Sequence, residues 1–317
     1  MNEALISITL ATYNGEKYIQ EQIDSILTQS YQNFEILIQD DNSSDNTLSI
    51  VESFSDPRIK IEKNSTNLGY IKNFESVLKR ANGDYIAICD QDDIWREEKL
   101  ETLLREIDEN SLIYADSLLV DENGNSLNKR LSQKLKNNFI SSKEPLSFLY
   151  DNAVSAHAAL FKRELLEIIL PLPQHLYFDQ YIALCAASMG GVKYLDKDLV
   201  LYRQHQNNTL SQNSKKESST LSKIEKKLAK KAANNQDILN KIQEIEQIPT
   251  LSQKDQKLLA KLKSIHTKFF ECYFNVDALL FFLKKSDILF AITKKNRVIL
   301  SLKKSIGYKL YKVLPIL

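Results

Sequence analysis

Carboxylates gather at two points in this chain, each close behind a short apolar run. Asp90, Asp92 and Asp93 lie within four positions behind Tyr85–Cys89. Alternation along an extended chain turns Asp90 and Asp92 to the same side, and like charges so close repel unless a cation sits between them. A small set of carboxylates suits Mg2+ or Mn2+, which also take oxygens from a phosphate. One reading is a divalent ion bridging protein and diphosphate; the other is a solvated acidic loop whose Asp93 caps the next helix. Asp40 and Asp41 follow Phe34–Ile38. A carboxylate there can accept the imide N–H of a uracil or thymine ring, and Tyr13 offers a face for stacking. The competing reading is turn chemistry, which Asp, Asn and Ser favour. Asp179 stands alone at the start of an apolar, helix-patterned stretch, as a general base for a hydroxyl or as a carboxylate favoured at a helix N-terminus. Tyr202-Arg203-Gln204-His205 follows a strand-like run. It reads as a diphosphate clamp, Arg203 by charge and His205 as donor or metal ligand, or as a strand end entering a surface loop. His157 and His175 read as structural.

The elements that must position these residues alternate over the first 110 positions. Leu5–Leu10, Phe34–Ile38, Ile59–Ile61 and Tyr85–Cys89 are short apolar runs with the character of buried strands. Between them, Ile19, Ile23, Ile26 and Leu27 recur at helical spacing, as do Leu48, Ile50, Val51 and Phe54 behind an Asp45 N-cap. Phe74, Val77 and Leu78 mark a further helix stopped near Gly83, and Leu100, Leu103, Leu104 and Ile107 another. This rhythm predicts a mostly parallel, doubly wound α/β sheet, which binds ligands beyond the carboxyl ends of its strands. Thr12–Gly15, Asp40–Asp41 and Asp90–Asp93 then meet at one edge. Further on, Leu112–Val120, Ala158–Phe161 and Leu199–Tyr202 read as strands, and Glu144–Tyr150 and Phe178–Met189 as helices.

The chain has 317 residues, 43% hydrophobic and 26% charged, the profile of a folded globular protein rather than a disordered one. The net charge of +1 conceals a division: residues 1–210 hold 20 Lys+Arg against 32 Asp+Glu, and residues 211–317 hold 22 against 9. An acidic body is the wrong sign for a nucleic-acid phosphate backbone, which argues against a nuclease. Cys89, Cys185 and Cys272 are odd in number and far apart, so neither a disulfide framework nor a structural zinc site is expected. That usage fits a reducing cytosol, and the N-terminal residues lack the basic region of a signal peptide. No GxGxxG follows the first strand, which argues against a dinucleotide site. A phosphorylatable receiver domain, which also binds Mg2+ at acidic strand ends, predicts a chain about half as long.

Taken in order, Thr12-Tyr13-Asn14-Gly15, Asp40-Asp41-Asn42-Ser43-Ser44-Asp45, Asn67-Leu68-Gly69 with Asn73-Phe74, and Asp90-Gln91-Asp92-Asp93-Ile94-Trp95 resemble a family 2 inverting glycosyltransferase of the GT-A nucleotide-sugar fold. Phe178-Asp179-Gln180-Tyr181 and Tyr202-Arg203-Gln204-His205 with Asn208 resemble its bacterial rhamnosyltransferase-like branch. The chain departs from that branch at Ser155-Ala156-His157 and across Phe178-Asp179-Gln180-Tyr181, in segments expected to line the sugar or acceptor pocket. The resemblance implies a catalytic domain over 1–210. Thr12, Tyr13, Asn14, Asp40, Asp41, Asn67 and Asn73 would hold the nucleotide. Asp90, Asp92 and His205 would hold Mg2+ or Mn2+. Asp93, Trp95, Arg203 and Gln204 would contact diphosphate or sugar, Asp179 would be the base, and His157 would border the acceptor. The implied reaction is transfer of a sugar, L-rhamnose from dTDP-rhamnose or else a hexose from a UDP donor, to a glycan or lipid-linked acceptor of the bacterial surface. A noncatalytic nucleotide-sugar-binding protein is the alternative.

Residues 211–222 are rich in Ser, Lys, Asn and Gln and read as a linker into a basic helical extension over 211–317. Lys-rich helices with aromatic faces (Phe269, Phe270, Phe274, Phe281, Phe282, Phe290) lie at anionic membrane surfaces. The expectation is a cytoplasmic protein held to the inner membrane face, with a helical subdomain or homodimer interface as the alternative.

Overall fold

The computed structural model describes residues 3–135, 139–205, 223–290 and 294–309. β1 (Ile6–Thr12) runs parallel to β2 (Phe34–Asp40) on one side and to β4 (Tyr85–Cys89) on the other, and β3 (Ile59–Lys63) continues in parallel beyond β2. β1, β2 and β4 are buried along almost their whole length because helices cover both faces of the sheet, whereas β3 at the edge alternates half-buried Ile59 and Ile61 with exposed Lys60 and Glu62. Side chains in β2 alternate between the two cores: Ile36 and Ile38 pack with Ile23 and Leu103, Leu37 with Val77 and Leu78. The whole sheet has nine strands in the order β3-β2-β1-β4-β8-β6-β9-β5, with β7 paired to β6. Here β5 is Ile94–Trp95, β6 Leu112–Val120, β7 Ser126–Arg130, β8 Ala159–Lys162 and β9 Val192–Arg203. β8 runs antiparallel to both β4 and β6, so the sheet is mixed yet mostly parallel.

Register brings the polar clusters to one edge. Thr12 lies level with Asp40, and Leu10 with Cys89, so Asp90 emerges beside Ala11. The helices of this half are α1 (Ile19–Leu27), α2 (Thr47–Glu52), α3 (Tyr70–Leu78) and α4 (Lys99–Glu106). Short helices α5 (Leu131–Leu135) and α6 (Leu166–Ile169) precede α7 (Phe178–Met189), which is buried along most of its length.

Several boundaries differ from expectation. Asn46 takes the N-cap position of α2, while Asp45 accepts the Thr47 N–H at 3.0 Å. α3 ends at Leu78, well before Gly83. Asp93 caps no helix: the chain enters β5, and α4 starts behind Glu98. Only Pro145–Phe148 of the stretch Glu144–Tyr150 is helical, as one 3-10 turn. The expected linker 211–222 and Asn208 lie outside the described residues.

Four C-terminal helices follow: α8 (Lys223–Ile245), α9 (Gln253–Thr267), α10 (Val276–Leu289) and α11 (Lys294–Ser305). Ser252 and Asn275 cap α9 and α10 by accepting the N–H groups of Asp255 and Ala278. Ile242, Leu258, Leu262, Phe282 and Phe290 join the same apolar cluster as α7 and α3, so the basic extension shares a core with the body.

Candidate active site

A cleft of about 1290 Å3 opens along the carboxyl ends of β1, β2 and β4. Its floor begins at Tyr13–Gly15. Asn14 sits at φ 47°, a left-handed conformation that Asn tolerates. Its Oδ1 accepts the Ser44 N–H at 2.9 Å, tying the β1 turn to the β2 turn. The Gln91 carboxamide ties it to the β4 turn: Oε1 accepts the Tyr13 N–H at 2.9 Å and Nε2 donates to the Tyr13 carbonyl at 3.1 Å. Gly15 makes room for this bridge, since a Cβ there would lie 2.5 Å from Gln91 Oε1.

Asp40 and Asp41 divide their roles. Asp40 is 1% exposed; its carboxylate accepts from Thr12 Oγ1 (3.1 Å), Ser43 N (2.8 Å) and Ser43 Oγ (2.5 Å), and it does not reach the cleft. Turn chemistry accounts for it, which corrects its assignment to the nucleotide. Asp41 lines the cleft and organises its rim, accepting the N–H groups of Leu68 (2.8 Å) and Gly69 (2.9 Å) and the Asn64 amide (2.8 Å). Two carboxylate oxygens offer about four acceptor sites, so Asp41 retains capacity for one more donor. Gly69, at φ 82°, permits the loop's approach. Asn67 lines the same rim, and Asn73, 2% exposed, braces the strand ends through the Gln39 carbonyl at 2.9 Å.

Asp90, Asp92, His157, Gln204 and His205 open on the middle of the cleft. His205 Nε2 lies 2.7 Å from Asp92 Oδ2, and the rings of His157 and Tyr202 stack at 4.7 Å. Ligating atoms of Asp90, Asp93 and His157 lie within 4.8 Å of one another. That compact group differs from the expected Asp90, Asp92 and His205, of which Asp92 and His205 bond each other instead. Burial and the neighbouring Asp92 push the Asp90 carboxyl up to about 7, and burial raises Asp93 as well. Asp93 Oδ2 is a buried oxygen without a partner. Burial lowers His157 to about 3, leaving a neutral ring. Destabilised carboxylates, an orphaned oxygen and the neutral His157 ring are a donor set that fits a Mg2+- or Mn2+-sized cation.

Beneath this group lies Lys99, fully buried, with Nζ 2.6 Å from the His157 carbonyl and 3.2 Å from the Trp95 ring centroid. Burial lowers its pKa to about 7. Sequence reasoning missed Lys99, although position 99 shares the inward face of α4 with Leu103 at i+4. Three other expectations are corrected here. Trp95 is 3% exposed beneath Lys99, away from the cleft. Asp93 is buried and accepts the Arg203 N–H at 3.1 Å. Arg203, 1% exposed, spends its guanidinium on the carbonyls of Asp92 and Glu122 (both 2.9 Å) and on Glu21 Oε2 (2.5 Å). It braces the acidic loop from behind.

Across the cleft, Asp179 occupies the second position of α7, where its Oδ1 accepts the Gln180 N–H at 2.8 Å. Asp179 lines the cleft, and burial pushes its carboxyl up to about 6 against the opposing pull of an Asn152 hydrogen bond. Asn152 is a second residue the sequence did not single out; a lone Asn in an irregular segment carries no spacing signal. Tyr70 and Tyr177, 45% and 49% exposed, stand on the same side.

This architecture is the GT-A fold, the fold of a large class of glycosyltransferases. Residues 7–170 match the family described as Glycosyl transferase family 2, just over half of the chain, and the chain belongs to that family. It is 40% identical over 125 residues to an Escherichia coli protein, UDP-Glc:alpha-D-GlcNAc-diphosphoundecaprenol beta-1,3-glucosyltransferase WfgD, a match covering 39% of this chain and 49% of that one. It is 38% identical over 109 residues to glycosyltransferase GlyG of Streptococcus pneumoniae, covering 33% and 36%. The chain thus spans about half or less of the length of these relatives. Staphylococcus aureus TarS 1-349 in complex with UDP-GlcNAc superposes with a TM-score of 0.58 at 20% identity, over 98% of this chain and 90% of that one. Mannosyltransferase PcManGT from Pyrobaculum calidifontis in complex with GDP-Man and Mn2+ gives 0.53 at 15%, over 98% and 78%.

Proposed function

We propose that this chain is a metal-dependent inverting glycosyltransferase that moves a hexose from a nucleotide-diphosphate donor to a hydroxyl of a bacterial surface polysaccharide or lipid-linked glycan. One observation carries the reading: Asp41, Asp90, Asp92 and Asp179 all open on a single cleft. Asp41 accepts from the base, and Tyr13, 48% exposed, stacks against it. Asp90, Asp92 and Asp93, with His157 and His205, would hold the divalent cation. Such an ion, when bound, offsets the charge growing on the departing diphosphate.

Asp179 takes the proton from the acceptor hydroxyl as its oxygen attacks the anomeric carbon. The bond from that carbon to the diphosphate oxygen breaks, and the electron pair leaves with the nucleotide diphosphate. One displacement inverts the centre; a second carboxylate nucleophile is not needed. Tyr70 and Tyr177 flank Asp179 and offer faces for the acceptor ring. Of the two donors weighed from the sequence, a UDP-hexose is favoured over dTDP-rhamnose, because the E. coli relative bears UDP-Glc in its name and aligns at 40% identity. The basic C-terminal helices would hold the enzyme against an anionic bilayer, where a lipid-linked acceptor is presented.

The test is a donor screen with Mg2+ or Mn2+, reading nucleotide release and thermal shift. A UDP-hexose should be turned over only with added metal. Asp179→Asn should cut turnover ~10^2-fold or more, and Asp92→Ala should abolish it, both with unchanged folding. Thermal shifts without release would leave a noncatalytic nucleotide-sugar-binding protein, and full turnover by Asp179→Asn would remove the base.

A further inference from the structure

The base assigned to Asp179 is held from two sides by segments that the C-terminal helices in turn hold. The first is the irregular strap between the 3-10 turn Pro145–Phe148 and His157. It carries Asn152, which hydrogen-bonds the Asp179 carboxyl. Gln180, the next residue on α7, donates through Nε2 to the Phe148 (2.6 Å) and Leu149 (3.0 Å) carbonyls, so strap and helix are joined at two points. Two residues before Asn152 stands Tyr150, where groups from α9, α10 and its C-cap, and α11 converge, with α8 joined through His266. Its hydroxyl lies 2.9 Å from His266 Nε2 on α9, and His266 Nδ1 lies 2.7 Å from Asn235 Oδ1 on α8. Because the Asn235 oxygen only accepts, Nδ1 carries the proton, and Nε2 of the neutral ring accepts from Tyr150. Asn235 also donates to the His266 carbonyl at 2.9 Å, which fixes its own orientation. The Tyr150 ring meets Phe282 of α10 at 6.3 Å and Phe290 at 5.5 Å, and Lys304 of α11 stands over it at 4.2 Å.

The second segment is the loop that leads into α7. Glu244 of α8 caps it: Oε1 accepts the N–H groups of Gln174 (2.8 Å) and His175 (2.9 Å), and Oε2 accepts that of Leu176 (2.9 Å). A carboxylate accepting several backbone N–H groups is a strong, directional anchor. Neither Tyr150 nor Glu244 lines the cleft.

We propose that the C-terminal helices are a positioning device for the catalytic carboxyl: Tyr150 and Glu244 fix the strap and the loop that aim Asp179 at the acceptor, with Asn152 as the terminal contact. The proposal rests on Asp179 being the base. It explains why a basic extension shares a core with the body rather than hanging from it. Burial is the main influence on the charge at Asp179, opposed by the Asn152 amide and the Gln180 N–H, while Asp90 across the cleft and Tyr70 on α3 are the titratable groups that feel its field. The amide donates to the carboxylate, so loosening it disfavours the ionised form.

The experiment uses the full chain and three variants, Asn152→Ala, Tyr150→Phe and Glu244→Gln; the last two are mild enough to fold. Two readouts are followed: the pH profile of nucleotide release, and the titration of the Asp179 side chain by 13C NMR, assigned by the signal missing from Asp179→Asn. Asn152→Ala should lower kcat tenfold or more and move the acid limb to higher pH. Tyr150→Phe and Glu244→Gln should move both readouts in the same direction by less, with UDP affinity unchanged. A lowered Tm with kcat, acid limb and carboxyl titration all as in the unaltered protein would overturn the proposal. If Asp179→Asn keeps full turnover while the NMR titration still shifts in the three variants, the base reading fails and the mechanical link stands.

Discussion

Asp179 should set the acid side of the activity profile. Burial raises it to about 6, and a general base works only when ionised. kcat/KM for nucleotide release should therefore fall as pH drops through about 6 and be flat above about 7, which assays between pH 5 and 8 would reveal. Stability should run the other way. The folded pKa exceeds the unfolded value near ~3.9, so the folded state binds the proton more tightly. The contribution is fully present below about 4 and is lost as pH rises through about 6. Asp179→Asn removes this cost, so its Tm at pH 8 should equal or exceed that of the unaltered protein while turnover collapses. Arg203 shows the opposite case of a charged residue whose work is structural. Arg203→Ala strands the carbonyls of Asp92 and Glu122, a loss of about 3 kcal/mol, which urea unfolding would register as a lower midpoint at unchanged slope.

At the scale of elements, the cleft exists because three strand-end turns are tied sideways. Gln91 is the tie between the β1 and β4 turns, and Gly15 is the space it occupies. Gly15→Ala should displace the Gln91 amide, costing about 1–2 kcal/mol and weakening UDP binding about tenfold. In a Gln91→Ala background the same Gly15→Ala change should cost almost nothing, since the clash partner is gone. Calorimetric titration of UDP against the four proteins checks this; additive losses would mean that Gly15 and Gln91 act separately.

At the scale of the molecule, apolar exposure is lopsided. Nine of the sixteen exposed large hydrophobic side chains among the described residues lie between Phe270 and Leu302, a concentration of the kind an interaction surface would present. α11 is turned outward: Val298, Ile299 and Leu302 are exposed, while Ser301 and Ser305 face inward and bond the carbonyls of Arg297 and Ser301. Residues 268–309 hold nine Lys+Arg against three Asp+Glu. No helix among the described residues is long and apolar enough to cross a membrane. Sedimentation should show binding to vesicles containing anionic lipid, little to neutral ones, and weakening at high salt. Leu280→Glu with Ile299→Glu should abolish it. Equal binding with and without anionic lipid, or a dimer by light scattering that the pair dissolves, would replace the bilayer by an apolar partner.

Local pattern was sufficient for the first half of the fold. β4, β6 and α7 lie where the local pattern puts them, because a strand buried on both faces and a buried helix leave largely apolar runs, broken in β6 only by Asp116 and Ser117. Asp41, Asp90 and Asp92 were legible as candidates because charges crowded behind an apolar strand run need a purpose, and Asp179 because it is a lone charge at the head of an apolar helix. Burial and pairing were not legible, since both depend on what folds back from a distance. Asp40 and Asp41 are adjacent and alike in the sequence, yet one turns into Ser43 and Thr12 and the other into the cleft. Arg203 resembles a ligand-binding cation until Glu21, 182 positions earlier, arrives beside it. Asn152, Tyr150 and Glu244 carry no local signature at all. Residue type and order determined the class of chemistry this chain can do; which groups face the cleft, and which merely hold those that do, was decided by contacts between segments that only the folded chain brings together.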